Sequence, residues 1–547
     1  MRHITTILLL LLSLLSARAQ QFYNLTADEV RVDSMLPEFS NTRSLPALWR
    51  DSVYSVSIAY PEYVDLPSTD IANYKRLSDG TLPPAEPELY TRVVFDRKRP
   101  SLLTTFCPIV FRGGRYQALA SFMLRTEAHP RHAAMPSLAA ADVNVWDTLP
   151  PAKRYATHSV LSSGRWVKIK VGATGYYQLT SSLVRQAGFS DLSKVKIYGY
   201  GGNLVNEKLQ AKDLYEQDDL KEVPTCTIGG RRLFYARGPV SWESADAARR
   251  TRNYYADYGC YFLTEEGTAA PAQVDSATFV ASYPTADDYH ELYEVDGYSW
   301  YTGGRNFFDS KQVAAGSSMT VDIPANPNAT RGVLSVNVTS SSYCRVQVEY
   351  NDSILGTLQT SNSNPAYIYG CQRTGNYNVK ATGETAHVKL TVMEGSMPMR
   401  LDYVSMAWNN PKPLADLTST TLPVPTYMYA ITNQDHHADP QADMVIIIPT
   451  SQKLLKQAER LKAFHEQHDS LKVNIVPADE LFNEFSSGTP DASAYRRYMK
   501  MLYDRATGDA DRPKFLLLFG DCLWDNRMVT PQCAGKFSPD DYLLAYE

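Results

Sequence analysis

The apolar pattern changes period near residue 440, and no other feature limits the fold of this chain as tightly. Upstream, short runs alternate apolar and polar. Downstream, Val445-Ile446-Ile447-Ile448 is a continuous apolar run closed by Pro449. Such runs belong to strands buried on both faces, as in a parallel sheet covered by helices. Leu454, Leu455, Ala458, Leu461 and Phe464 then recur at helical spacing. Val473-Asn474-Ile475-Val476 reads as a second strand. Asp491 or Ser493 can cap a helix whose buried stripe is Tyr495, Tyr498, Met499 and Leu502. Phe515-Leu516-Leu517-Leu518-Phe519 reads as a third buried strand, ending at Gly520-Asp521. This alternation predicts a three-layer α/β domain with a parallel sheet, of which only about half is present. Three strands would leave an edge and two faces under-covered.

Before this region the chain reads as β-rich. Residues 20–150 carry short apolar runs separated by Pro, Asp and Gly clusters, with no helical period of useful length. From about 151 the strands become regular: 166–171, 195–198, 233–236, 260–264, 319–323, 332–338, 344–350 and 387–392. A short helix is expected over 181–187, closed by Gly188. This spacing predicts one or two antiparallel sandwiches. Pro411, Pro413, Pro423 and Pro425 mark the passage into the last region. The expected divisions are 1–19, 20–150, 151–422 and 423–547.

Residues 1–19 read as a secretory signal peptide. Arg2 and His3 precede the apolar run 7–15, and Ser16-Ala17-Arg18-Ala19 offers cleavage between Ala19 and Gln20. No later stretch reaches the ~20 apolar residues of a membrane-spanning helix. The net charge of -5 gives no electrostatic case for nucleic acid. Seven cysteines, sparse and without C-x-x-C, argue against a disulfide scaffold or a zinc ribbon. One bridge is an option, with Cys344–Cys371 on two neighbouring expected strands as the candidate pair, and buried free thiols are the expectation for most of the cysteines.

Sites in open α/β sheets gather beyond the carboxyl ends of the strands. Here that edge holds Thr450, Asp479, Asp521 and Cys522. A carboxylate such as Asp521 can orient a histidine or simply cap the strand end. Asp540-Asp541-Tyr542 fits a calcium ligand pair, a pocket border or a plain acidic turn. Cys522 and Cys533 have no histidine after them, and a thiol nucleophile needs a nearby base. His465 and His468 share a helical face at a spacing that departs from H-E-x-x-H, so a solvated helix end is the expectation. His129 and His132, and His436-His437 in a polar linker, are expected to face solvent. Gly199-Tyr200-Gly201-Gly202 follows a strand but opens no helix, which leaves a tight turn rather than a phosphate cradle.

Several segments together resemble one family. Ser163-Gly164-Arg165-Trp166-Val167-Lys168-Ile169-Lys170-Val171, Gly175-Tyr176-Tyr177-Gln178-Leu179 and Tyr198-Gly199-Tyr200-Gly201-Gly202 are similar to the opening of PorU-like sortases of the type IX secretion system. Phe234-Tyr235-Ala236-Arg237-Gly238-Pro239 with Trp242 continues the likeness. Ser487-Gly488-Thr489-Pro490-Asp491, residues 515–521 and Ser538-Pro539-Asp540-Asp541-Tyr542 resemble the start of the gingipain-like cysteine peptidase domain. The resemblance implies a caspase-like α/β fold after β-sandwich domains. It implies removal of C-terminal sorting domains from exported cargo, beside outer-membrane secretion components at the surface of a Gram-negative cell. It also implies a cysteine nucleophile with a histidine from a Gly-His-Gly segment. This chain has no Gly-His-Gly. The pair is therefore expected beyond residue 547, no catalytic residue is carried over, and the chain at this length is expected to be inactive. The other reading is a non-catalytic surface scaffold that binds cargo and carries a vestigial peptidase domain. No cofactor is expected beyond calcium at the acidic turn.

Overall fold

The computed structural model describes residues 22–33, 35–46, 52–78, 81–96, 99–130, 151–300, 303–362 and 369–546. The signal-peptide reading with its Ala19–Gln20 cleavage point lies outside these residues, as do His132 and the side chain of His129. The chain forms two compact units, Met1–Asp142 and Val143–Glu547.

The first unit holds two antiparallel sheets. In one, Arg115–Pro130 lies between Phe22–Asn24 and Ser52–Asp65, and also pairs with Ile109–Arg112. The Gly113-Gly114 turn of that hairpin needs positive φ at both residues, 54° and 78°, which glycine adopts without strain. The other sheet has Arg99–Phe106 between Phe39–Ser44 and Tyr90–Asp96. Phe39, Phe106 and Phe122 join the sheets, with ring centroids 5.0 to 5.5 Å apart. A helix, Ser68–Leu77, was not expected from the sequence. It buries only Tyr74, so it leaves almost no periodic signal.

The second unit begins with two small sheets. Gly259–Thr264 and Trp166–Val171 form the centre of one, flanked by Lys196–Tyr198 and Thr426–Ile431. The other has Arg231–Ala236 between Cys226–Ile228 and Gly175–Leu179. Val167, Ile169, Leu179, Phe234, Tyr261 and Leu263 fill the space between them. The alternation in 166–171 predicted a half-buried strand. Instead Lys168 is also buried, because the last domain covers that strand's second face.

A β-sandwich follows. Arg400–Trp408 and Arg331–Ser340 form the centre of one sheet, and Ala386–Gly395 and Cys344–Tyr350 form the centre of the other. The strict in–out alternation of Cys344–Tyr350 is what a two-sheet core requires. Cys344 and Cys371 lie in opposite sheets, and all seven cysteines are free, so the Cys344–Cys371 bridge is not formed. Cys344 instead packs in the apolar core, where burial pushes its thiol up to about 11.

The last domain is the three-stranded parallel sheet, with Met444–Ile448 between Val473–Pro477 and Phe515–Leu518. Helix Leu455–His468 covers one face, and helices Ala478–Phe485 and Ser493–Arg505 cover the other. The central strand is fully buried. The third strand is not: Phe515, Leu516 and Leu518 are 52%, 44% and 44% exposed, against the expectation of a buried strand. Phe464, expected on the apolar stripe of its helix, is exposed as well. Among the described residues, no helix is long and apolar enough to cross a membrane.

An apolar strand at an open sheet edge is a template for pairing with another chain. The 547-residue chain is predicted to self-associate with rising concentration through Phe515–Leu518. Leu516→Lys with Leu518→Lys should suppress this without loss of circular dichroism. Unchanged association in light scattering would contradict it.

Candidate functional site

The parallel register places the ends of all three strands, Ile448, Pro477 and Leu518, at one edge. What lies beyond that edge is the candidate site. The Asp521 carbonyl accepts from Leu543 N at 2.9 Å, and its carboxylate caps its own turn by accepting from Cys522 N at 2.8 Å. The Asp540 carbonyl accepts from Ser451 N at 2.7 Å, just after the central strand. Lys453 Nζ donates to Asp541 at 2.7 Å. Hydrogen bonds from Lys453 and Ser451 hold the Asp541 carboxyl below its ordinary value. The edge therefore gathers Asp521, Asp540 and Asp541 beside Lys453, a residue 88 positions before Asp541.

Asp479 joins them from the start of helix Ala478–Phe485. Burial raises its pKa, and Lys168 opposes that rise. Its Oδ1 is buried without a hydrogen-bond partner among the described residues. Lys168 reaches this helix from strand Trp166–Val171 and donates to Asn483 Oδ1 at 3.0 Å. Burial alone would depress the lysine. Cys260, Tyr429 and Asp479 outweigh it and raise the ammonium's pKa.

A buried turn fixes this edge against the β-sheets. Ser487 Oγ accepts from Tyr200 N at 2.8 Å and Gly201 N at 3.2 Å, and donates to Cys260 O at 3.1 Å. Thr489 Oγ1 accepts from Cys260 N at 2.9 Å and donates to Gly201 O at 3.1 Å. Asp491 accepts from Val205 N at 3.0 Å and Ser493 N at 2.7 Å. Gly488 sits between them at φ +75°, where a Cβ would come within 2.7 Å of the Phe262 ring. Two segments that the sequence singled out separately, 199–202 and 487–491, are thus the two halves of one joint.

The second joint corrects the sequence reading. His436 and His437 are not in solvent: they are 9% and 0% exposed. The fully buried Glu484 accepts from His436 N, His437 N and His437 Nδ1–H at 2.8, 3.0 and 2.6 Å. His437 Nε2–H faces Asp218 at 3.2 Å. His436 donates to Asp439 at 2.8 Å and Glu480 at 2.7 Å. Burial disfavours both cations, but a carboxylate on every ring nitrogen outweighs it and pushes both histidines up to about 10. The partners lie up to 219 residues away, so no local pattern announces them.

Cys522 is exposed and Cys533 is buried. Among the described residues no histidine hydrogen-bonds to a cysteine sulfur. His465 bonds to Asp469 at 2.6 Å, and His468 packs on Phe464 with centroids 4.5 Å apart. No three His, Cys, Asp or Glu side chains among the described residues converge as ligands for a metal ion. The described edge offers carboxylates and a buried cation, but no nucleophile–base pair.

Two measurements check the joints. Ser487→Ala leaves Tyr200 N and Gly201 N unpartnered and should cost about 2–4 kcal/mol in urea unfolding; a cost near zero would contradict the joint. The histidine clamp gives a pH signature. In the unfolded chain these residues titrate near their ordinary 6.5, in the folded chain near 10. Their contribution is fully present below pH 6.5 and is lost as pH rises toward 10. His437→Gln should flatten that slope, and an unchanged profile would contradict the clamp.

Comparison with known proteins agrees with this architecture. Residues 437–546 match the model of peptidase family C25. Latent dimeric PorU from Porphyromonas gingivalis is similar at 25% identity and a TM-score of 0.59. The similarity covers 72% of this chain and 45% of that one, so the chain spans under half of that PorU's length. A family 35 carbohydrate-binding module from an environmental isolate matches 23% of the chain, with 98% of the module covered, at 22% identity. Its TM-score of 0.18 is too low to carry weight. No curated protein sequence matches the chain. Residues 437–546 are a peptidase family C25 (gingipain family) domain, carried on a chain whose multidomain β-rich fold is similar to PorU.

Proposed function

We propose that this chain belongs to an exported cysteine peptidase or transpeptidase of the type IX secretion system, which removes C-terminal sorting domains from cargo proteins. The observation that carries the proposal is the joint between Ser487-Gly488-Thr489 and the Gly199–Gly202 turn. It unites the β-sheets and the C25 domain into one body, on a chain similar to PorU over 72% of its length. The partners of this reading are exported cargo with sorting domains and other outer-membrane secretion components. Its place is the cell surface of a Gram-negative bacterium, reached through the periplasm after signal-peptide cleavage at Ala19–Gln20.

In this reading Asp521, Asp540 and Asp541 are supporting carboxylates that shape the sheet edge and do not attack the substrate. The attack belongs to a cysteine thiolate with a histidine base, which forms a thioester intermediate. None of the described residues forms that pair. The acidic turn is also where a calcium ion would sit, with Asp540 as its freer ligand and Lys453 competing at Asp541.

The second reading is a non-catalytic scaffold that binds cargo. Deleting the gene distinguishes the two. Under the peptidase reading, exported cargo in the deletion strain keeps its sorting domain; fully trimmed cargo would overturn it. In vitro, the 547-residue chain should neither hydrolyse a sorting-domain peptide nor label at Cys522 with a peptidyl thiol probe. Labelling at Cys522 would place the nucleophile within this chain.

A further inference from the structure

Beside the two small sheets, where Tyr235 and Phe279 meet Tyr200 and Tyr261, lies a cavity of about 400 Å³. Its walls are Tyr200, Val223, Tyr235, Tyr261 and Phe279, with Arg237 among the lining residues. This is the usual make-up of a small-molecule site: mostly apolar and aromatic, with few polar groups, at a volume of roughly 300–1,000 Å³.

Arg237 gives the cavity its chemistry. Its backbone is committed, with N–H donating to Tyr261 Oη at 2.9 Å and C=O accepting from Gly202 N at 3.0 Å. Its side chain is not. The residue is exposed. Among the described residues no acceptor hydrogen-bonds its guanidinium, and no carboxylate pairs with it. Asp287 feels the charge without joining it. The backbone anchorage holds the base of the side chain still. Gly201 and Gly259 make this possible, since a Cβ on either would meet Arg237 O at 2.5 or 2.4 Å.

A single cation beside an apolar pocket selects one kind of ligand. Polyphosphates need several cations or a run of converging backbone N–H groups. Among the described residues that line the cavity, the helix Ser276–Phe279 is four residues long and supplies no such end. A carboxylate matches one guanidinium in a two-pronged geometry. The tyrosine and phenylalanine walls accept a ring.

We propose that this cavity binds a small aromatic monocarboxylate, with the ring against Tyr235 and Phe279 and the carboxylate on Arg237. Tyr200 also donates its backbone N–H to Ser487 in the joint, but the ligand proposal does not rest on the peptidase reading. It uses none of the residues at the parallel-sheet edge.

The test is calorimetric titration of the full chain with 3-phenylpropanoate and with its neutral amide. The acid should bind at least about tenfold more tightly than the amide, as expected for a charge-assisted pair. Arg237→Ala should remove that preference and leave the weak binding of the ring. Ser282→Trp, at an exposed position lining the cavity, should block both probes while circular dichroism and unfolding stay as in the parent. Equal binding of acid and amide, or no binding of either at millimolar concentration, overturns the proposal. So does an acid preference that survives Arg237→Ala.

Discussion

A turn of three residues carries the largest structural burden in the second unit. Ser487, Gly488 and Thr489 enter the surface of a β-sheet with essentially no exposure at Ser487 and Thr489. Burial of that kind is tolerated only when every polar group finds a partner. Each hydroxyl meets this condition by accepting backbone N–H groups and donating to a carbonyl. The apolar contribution comes from Phe262 and the aliphatic stem of Lys168, which close around Gly488. The α/β domain is therefore built into the β-sheets and does not hang from them on a linker.

Two electrostatic consequences follow. The first is that Lys168, a residue of the β-sheet, ends beneath the helix that carries Asp479 and Asn483. The parallel-sheet edge is thus charged in part by the preceding domain. The second is the clamp of His436 and His437 on Glu484. A buried carboxylate with four donors is stable only with its cations in place, so the clamp specifies one docking geometry more than it adds stability. A separate ion-pair network ties Arg527 of the late segment to the small sheets and the start of the sandwich. Arg527 spans Asp257 at 2.7 Å and Asp296 at 2.6 Å, and Arg252 joins Glu294 at 2.8 Å.

What the sequence disclosed follows the range of each signal. Strands such as Cys344–Tyr350 were legible because alternation is a local consequence of a two-sheet core. Met444–Ile448 was legible because burial on both faces leaves no polar position. Helix Ala478–Phe485 was not, because buried Asn483 and Glu484 break its apolar stripe for the sake of distant partners. His436 and His437 read as solvated for the same reason. Phe515–Leu518 misled in the opposite direction: its composition is that of a buried strand, yet the described residues leave it open. Of the candidate carboxylates, Asp521, Asp540 and Asp541 could be proposed from strand ends and an acidic tract. Asp479 was placed at that edge in the same way, but its coupling to Lys168, a residue more than three hundred positions earlier, needed the fold.

Native-state hydrogen exchange at the joint tests the central claim most directly. If the C25 domain and the β-sheets are one cooperative body, the amides of Tyr200, Gly201, Cys260 and His437 exchange only through global unfolding. Their protection then equals that of the Met444–Ile448 core and falls with it in urea. Exchange of those four amides at a much lower free energy, while both flanking cores stay protected, would show two domains that merely touch.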